Sequence, residues 1–105
     1  RKFRAQLATF ESLGVPFVKG IQVQLHIQHA EVPANLSKLL QLLDKMGGVQ
    51  RQKPRAVGAL QSANVQITCE RAVPIEPYSE CRALGRFVLR QRGVTVAAGM
   101  VTEVL

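Results

Sequence analysis

Two histidines, two cysteines and seven carboxylates are the side chains of this 105-residue sequence that could carry acid–base, nucleophilic or metal chemistry. His26 and His29 are three apart in a segment that reads as a strand. An odd separation sends them to opposite faces, so they could share a metal only across a bulge, and the spacing brings no further ligand to them. His26 falls among polar residues and reads as a surface histidine. Cys69 lies on the apolar face of Val65 and Ile67 and reads as a small buried hydrophobe. Cys81 sits in the 77–82 connection with no partner base to activate it. Glu11, Glu31, Asp44, Glu70, Glu76, Glu80 and Glu103 are scattered, with no spacing that argues for an acid/base pair. The glycines form neither a GxxxxGK[ST] phosphate loop nor a convincing GxGxxG. The chain therefore reads as a non-enzyme, with no catalytic, metal-ligating or cofactor-binding residue and no small-molecule substrate.

Charge is the stronger signal. Fourteen Lys and Arg against seven Asp and Glu give +7 and a pI near 10.3, a balance that favours anionic neighbours. The excess sits in two blocks. Residues 45–69 hold Lys45, Arg51, Lys53 and Arg55 without an acid, and residues 82–92 hold Arg82, Arg86, Arg90 and Arg92, also without one. Charge runs are ordinarily solvated surface, but blocks of one sign sustain a field that mixed surfaces avoid. Phe87 is the lone aromatic in the second block, and the sequence has one Tyr and no Trp, so a base-stacking platform is not expected. Phosphate contact or an acidic protein partner fits better, with Arg51, Lys53 and Arg55 as candidate RNA-contacting residues.

The elements that must position these residues are mostly strands. In Ile21-Gln22-Val23-Gln24-Leu25-His26-Ile27-Gln28 every odd position is apolar and every even one polar, the pattern of a half-buried strand. Phe3, Ala5 and Leu7 alternate with Arg4 and Gln6, and the 65–70 segment repeats the pattern. Residues 86–90 and 94–98 flank Gln91-Arg92-Gly93 as a hairpin, with Gly93 at the position needing positive φ. One segment is ambiguous. Leu36, Leu39, Leu40 and Leu43 have helical spacing, and local propensity favours a helix; a long strand over 34–45, buried on both faces, is the alternative. The other strands and their turn signals, Gly47-Gly48 among them, argue for an all-β barrel. Length suits one domain spanning 1–105, and 47% hydrophobic residues support a real core. No apolar run approaches the twenty or so residues of a membrane span, and the opening residues form no signal-peptide core, so a soluble intracellular protein is expected.

Ala83-Leu84-Gly85-Arg86-Phe87-Val88-Leu89-Arg90, followed by Gly93, Thr95 and Ala97-Ala98-Gly99-Met100-Val101-Thr102-Glu103, resembles the closing segment of domain III of the translational GTPases related to elongation factor Tu. Within that superfamily it is most similar to the Hbs proteins, which work with Pelota, and next to the GTP-binding eukaryotic release factor. Phe3–Leu7, Pro16, Lys19-Gly20, Leu25–Gln28, Glu31, Pro33-Ala34 and Lys53-Pro54-Arg55 match in the right order, so the resemblance covers nearly the whole chain. After Leu89-Arg90 the release factor continues with acidic residues, whereas Ala97-Ala98-Gly99 with Val101-Thr102-Glu103 looks like Hbs; Arg92 and Val94 depart from both.

The resemblance implies a six-stranded antiparallel Greek-key barrel, with 34–45 as a long strand. It also implies a C-terminal fragment of a larger cytoplasmic GTPase whose GTP and magnesium sit in a domain absent here. The implied role is docking of a Pelota-like factor, or a class-I release factor, on the ribosome and its rRNA, with no membrane involved. Gly85, Arg86, Phe87 and Arg90 carry over as candidate partner-binding residues. Against that, Gly85 could serve a turn and Phe87 the core, whereas Arg86 and Arg90, four apart on one strand face, suit a carboxylate or phosphate. Removed from neighbouring domains, the barrel is expected to expose an apolar patch at Leu39, Leu42 and Leu43.

Overall fold

The computed structural model describes every residue except 1, 45, 47 and 72. In chain order the elements are β1 (Lys2–Thr9), β2 (Phe17–Val18), β3 (Gln22–Ile27), β4 (Ala30–Leu43), β5 (Val49–Gln52), β6 (Ala56–Val57), β7 (Ser62–Cys69), the helical turn α1 (Arg82–Gly85), β8 (Arg86–Gln91) and β9 (Val94–Val104). Six strands close on themselves in the order β1-β7-β4-β3-β8-β9, every neighbour antiparallel. β3, β4 and β7 form a meander and β1 returns beside β7, the Greek-key arrangement that the resemblance implies. β5 adds to the far end of β4, and β2 pairs with β6 as a separate ribbon.

Period-two patterning sets the barrel wall. Phe3, Ala5 and Leu7 of β1, Val23, Leu25 and Ile27 of β3, and Phe87 and Leu89 of β8 all point inward and are buried. Phe3 meets Phe87 edge-on, with ring centroids 5.6 Å apart and planes at 72°. Small residues face them: Ala5, Ala63 and Ala97 are fully buried, as a tapered interior requires.

The ambiguous leucine segment is strand, and its register explains the helical appearance. β4 runs from Ala30, four residues earlier than expected; its expected far end, Lys45, lies outside the described residues. Against β7 its register slips between Leu36 and Lys38 and again between Leu39 and Gln41, leaving Ser37 and Leu40 as extra residues. Each bulge lengthens one inward step from two residues to three. The core positions therefore run Val32, Ala34, Leu36, Leu39, Leu42, and the last three imitate a helix face. These same bulges correct the expected apolar patch. Leu39, Leu42 and Leu43 are each only 7% exposed, and Leu39 and Leu42 belong to the core cluster. β5, β6 and β7 all lie within the 45–69 charge block. Gly47, expected at a turn there, lies outside the described residues.

The β8–β9 turn is a two-residue loop in which both central residues are left-handed, Arg92 at φ 54° and Gly93 at φ 79°. The sequence pointed to Gly93 alone. An arginine is poorly suited to that conformation, whereas Asn-Gly is the preferred pair for such a hairpin. Arg92→Asn should therefore stabilise the domain by about 0.5–1 kcal/mol, read as a rise in the urea midpoint with unchanged slope.

Candidate functional site

The four carried-over residues occupy α1 and β8 but face different ways. Gly85 is buried, and a Cβ placed on it would stand 2.6 Å from the Tyr78 backbone nitrogen. That nitrogen donates to the Val101 carbonyl at 2.9 Å, so the Tyr78 backbone is fixed against the barrel and closes over the glycine. Phe87 is 4% exposed and belongs to the core. Arg86, Val88 and Arg90 alternate with the core residues and point outward, Arg86 exposed and Arg90 half-buried. The two arginines share one face as expected, about 13 Å apart along the strand with Val88 between them. Arg90 donates from a terminal nitrogen to the Gly93 carbonyl at 2.9 Å, and its shielded Nε has no acceptor. The tether fixes the guanidinium head, whose remaining terminal N–H groups can donate to an anionic group.

The candidate RNA-contacting residues lie on a separate segment. Arg51 projects from β5, and Lys53 and Arg55 flank Pro54 between β5 and β6; all three cations are exposed. Buried Pro54 and Val57 peg the segment to the barrel, and the Lys53 amide donates to the Leu40 carbonyl at 2.9 Å. Lys45 lies outside the described residues. Among the described residues the ion pair is Arg4–Glu103 at 3.6 Å, with both side chains about half exposed, so no carboxylate is paired with Arg51, Lys53 or Arg55.

The residues considered for chemistry stay apart. His26 faces outward on β3, its Nε2 3.2 Å from the Gln28 carbonyl oxygen, while His29 sits exposed in the β3–β4 turn. Among the described residues no three His, Cys, Asp or Glu side chains gather as a metal site. Cys69 is 2% exposed, and burial pushes its thiol pKa up, the opposite of what a nucleophile needs. Cys81 is half-buried just ahead of α1, and all seven carboxylates are exposed.

Three features were not anticipated from sequence. Gly99 on β9 opposes Phe87, and a Cβ there would come within 2.7 Å of the ring and 2.8 Å of the Gln6 carbonyl oxygen. Arg92 adopts the left-handed turn conformation. A groove opens between the start of β3 and the β8–β9 turn, with Arg90 on its wall. The outward glutamines of β3 were the visible trace of that groove, but polar residues on a strand's outer face are ordinary.

Residues 2–102 match the family model described as GTP-eEF1A C-terminal domain-like. The chain is 39% identical over 104 residues to "Protein HBS1" of Drosophila melanogaster, covering 98% of this chain and 15% of that protein. It is 43% identical over 81 residues to "Elongation factor 1-alpha" of Thermofilum pendens, covering 76% of this chain and 19% of that protein. The fold superposes on sup35 in its complex with GMPPNP at a TM-score of 0.92 and 30% identity, over 99% of this chain and 25% of that one. No helix among the described residues is long and apolar enough to cross a membrane.

Proposed function

The chain belongs to the GTP-eEF1A C-terminal domain-like family, and from that premise we propose that it is the partner-docking barrel of an Hbs-type translational GTPase. On this reading the parent protein is cytoplasmic and acts with a Pelota-like factor in rescue of stalled ribosomes and mRNA surveillance. The observation that carries it is the likeness to HBS1 along 98% of the chain. GTP and magnesium belong to a domain outside these 105 residues, and the barrel's own contribution is binding: it holds the partner in place for delivery to the ribosome. Arg86 and Arg90 are the outward cations of the β8 face and the residues assigned to that contact. The alternative is the release-factor branch, favoured by the superposition on sup35.

Titration calorimetry against Pelota and, separately, the class-I release factor of the same organism tests the assignment. Preferential Pelota binding is expected, weakened about tenfold or more by Arg86→Ala or Arg90→Ala, the scale of one charge-assisted contact. Preference for the release factor moves the protein to termination. No difference between wild type and the arginine variants removes the β8 face from the interface.

Exposed Arg51, Lys53 and Arg55, in a run from 49 to 57 without an acid, support a second contact with rRNA that can coexist with docking. Neutralising all three should flatten the slope of log affinity for ribosomes against log salt by about 2 to 3. An unchanged slope removes these residues from the RNA surface.

A further inference from the structure

The barrel wall is unevenly closed. β3 begins at Gln22 and β8 runs to Gln91, yet their ladder holds three pairs: Gln24 with Arg90, Leu25 with Leu89 and His26 with Val88. Beyond Gln24 the two strands part. Gln22 stays with Asn35 of β4, and Gln91 stays with Val94 of β9. Among the described residues, Gln22 and Val23 of β3 and Gln91 of β8 have no strand partner across this gap. A groove of about 640 Å³ lies there, with Gln22, Gln24, Arg90 and Gln91 along it and Val15 and Val94 at its rim. Arg90 and Arg92 make its lining positive, and none of its lining residues is acidic. The rim valines are 66% and 48% exposed, so apolar surface stands open beside the charge.

We infer that this groove seats an extended, acidic segment of the docking partner, which lies along the opened edges of β3 and β8 and sets a carboxylate against Arg90. The inference rests on the docking role proposed above and names the chemistry of what docks. Three observations converge on it. Where the strands part, Gln22 and Val23 of β3 and Gln91 of β8 leave a short stretch of open edge beside which an extended peptide backbone can lie. Arg90 is tethered to the Gly93 carbonyl through one terminal nitrogen, so an incoming carboxylate finds a positioned cation whose other terminal N–H groups can donate to it. Alternate side chains of the same peptide reach the rim, where Val15 and Val94 suit aliphatic residues. A nucleic-acid backbone fits less well. Its phosphates supply acceptors for two arginines but little to satisfy strand carbonyls, and it leaves the valines uncovered.

The test is chemical-shift mapping of the ¹⁵N-labelled chain with a blocked hexapeptide of alternating valine and glutamate, its valine–glutamine counterpart, and an oligouridylate. Shifts centred on Gln22, Gln24, Gln91 and the Arg90 Nε–H are expected with the acidic peptide. Binding should weaken about tenfold or more with the glutamine peptide, and likewise in Arg90→Gln. Val15→Glu, on an exposed loop residue, should repel the peptide as strongly without touching the core, which covers a fold defect in Arg90→Gln. Equal binding of the glutamine peptide, shifts centred elsewhere, displacement by oligouridylate, or no shifts at all each overturns the inference. Pelota affinity of Val15→Glu separates the two readings. Full affinity with peptide binding lost rejects the groove and keeps docking. Peptide binding in a chain that never binds Pelota keeps the groove's chemistry and rejects the docking role.

Discussion

Phe87→Ala should destabilise the domain by about 3–5 kcal/mol, the cost of emptying a large aromatic from a packed core. Phe87 lies on the strand proposed to dock the partner, yet its ring points the other way: it is 4% exposed, meets Phe3 edge-on and closes against Gly99. The space it leaves cannot collapse easily, because Phe3, Leu7 and Gly99 belong to hydrogen-bonded barrel strands whose positions are set by both neighbours. Since domains of this kind have about 5–15 kcal/mol in total, the variant should melt about 15 °C or more below the wild type. Urea unfolding followed by circular dichroism measures it. A stability within about 0.5 kcal/mol of wild type, the range of neutral surface changes, would sink the core assignment and return Phe87 to the candidate partner-binding residues. Any binding defect in this variant should scale with the fraction unfolded, whereas a defect in Arg86→Ala should appear in a fully folded chain.

Strands with strict alternation were legible because nothing interrupts their period. β1, β3 and β7 follow the sequence pattern nearly residue for residue, and the barrel follows from having several of them. β4 was illegible locally for a definite reason. Its two bulges convert a period of two into steps of three, and steps of three through Leu36, Leu39 and Leu42 look like a helix to any argument based on spacing. Only long-range pairing with β7 decides the matter, and pairing is not a local property. The short pairs were hidden too. β2 and β6 have two residues each, too few for a pattern, and β5 is exposed along its whole length.

At the candidate site the sequence supplied the arginines but not the geometry around them. Four-residue spacing placed Arg86 and Arg90 on one outward face, and the alternation of β8 carries that through. What spacing could not show is that β3 and β8 part beyond Gln24, because a gap in a wall depends on two strands ending differently. Nor could it separate the residues of the recognisable string by role. Gly85, Phe87, Leu89, Ala97 and Gly99 in that string meet the demands of the interior or of close contact, while Arg86 and Arg90 are left outside. Much of what makes the string recognisable is therefore barrel physics, and the outward arginines are the part available to a partner.

That division predicts a severe effect at a glycine of the string. Gly85→Ala should cost about 3 kcal/mol, the upper part of the range for overpacking. Gly85 has no left-handed φ, so the demand for glycine comes from space: an added methyl would stand 2.6 Å from the Tyr78 nitrogen and 2.9 Å from its Cβ. A flexible side chain could swing clear, but backbone cannot without breaking bonds. The Tyr78 amide is committed to Val101 at 2.9 Å, and two residues earlier the Glu76 amide is committed to Leu84 at 3.1 Å. Relief would therefore strain the clasp that ties the 73–81 connection to both α1 and β9. Gly14→Ala is the internal control, since nothing lies within 4 Å of a Cβ there and its φ is ordinary; it should be neutral to within about 0.5 kcal/mol. Chemical denaturation of the two variants beside wild type measures the contrast. Equal stability of Gly85→Ala and Gly14→Ala would mean that the Tyr78 backbone yields without cost, and Gly85 would then lose its structural explanation and become a candidate for direct partner contact.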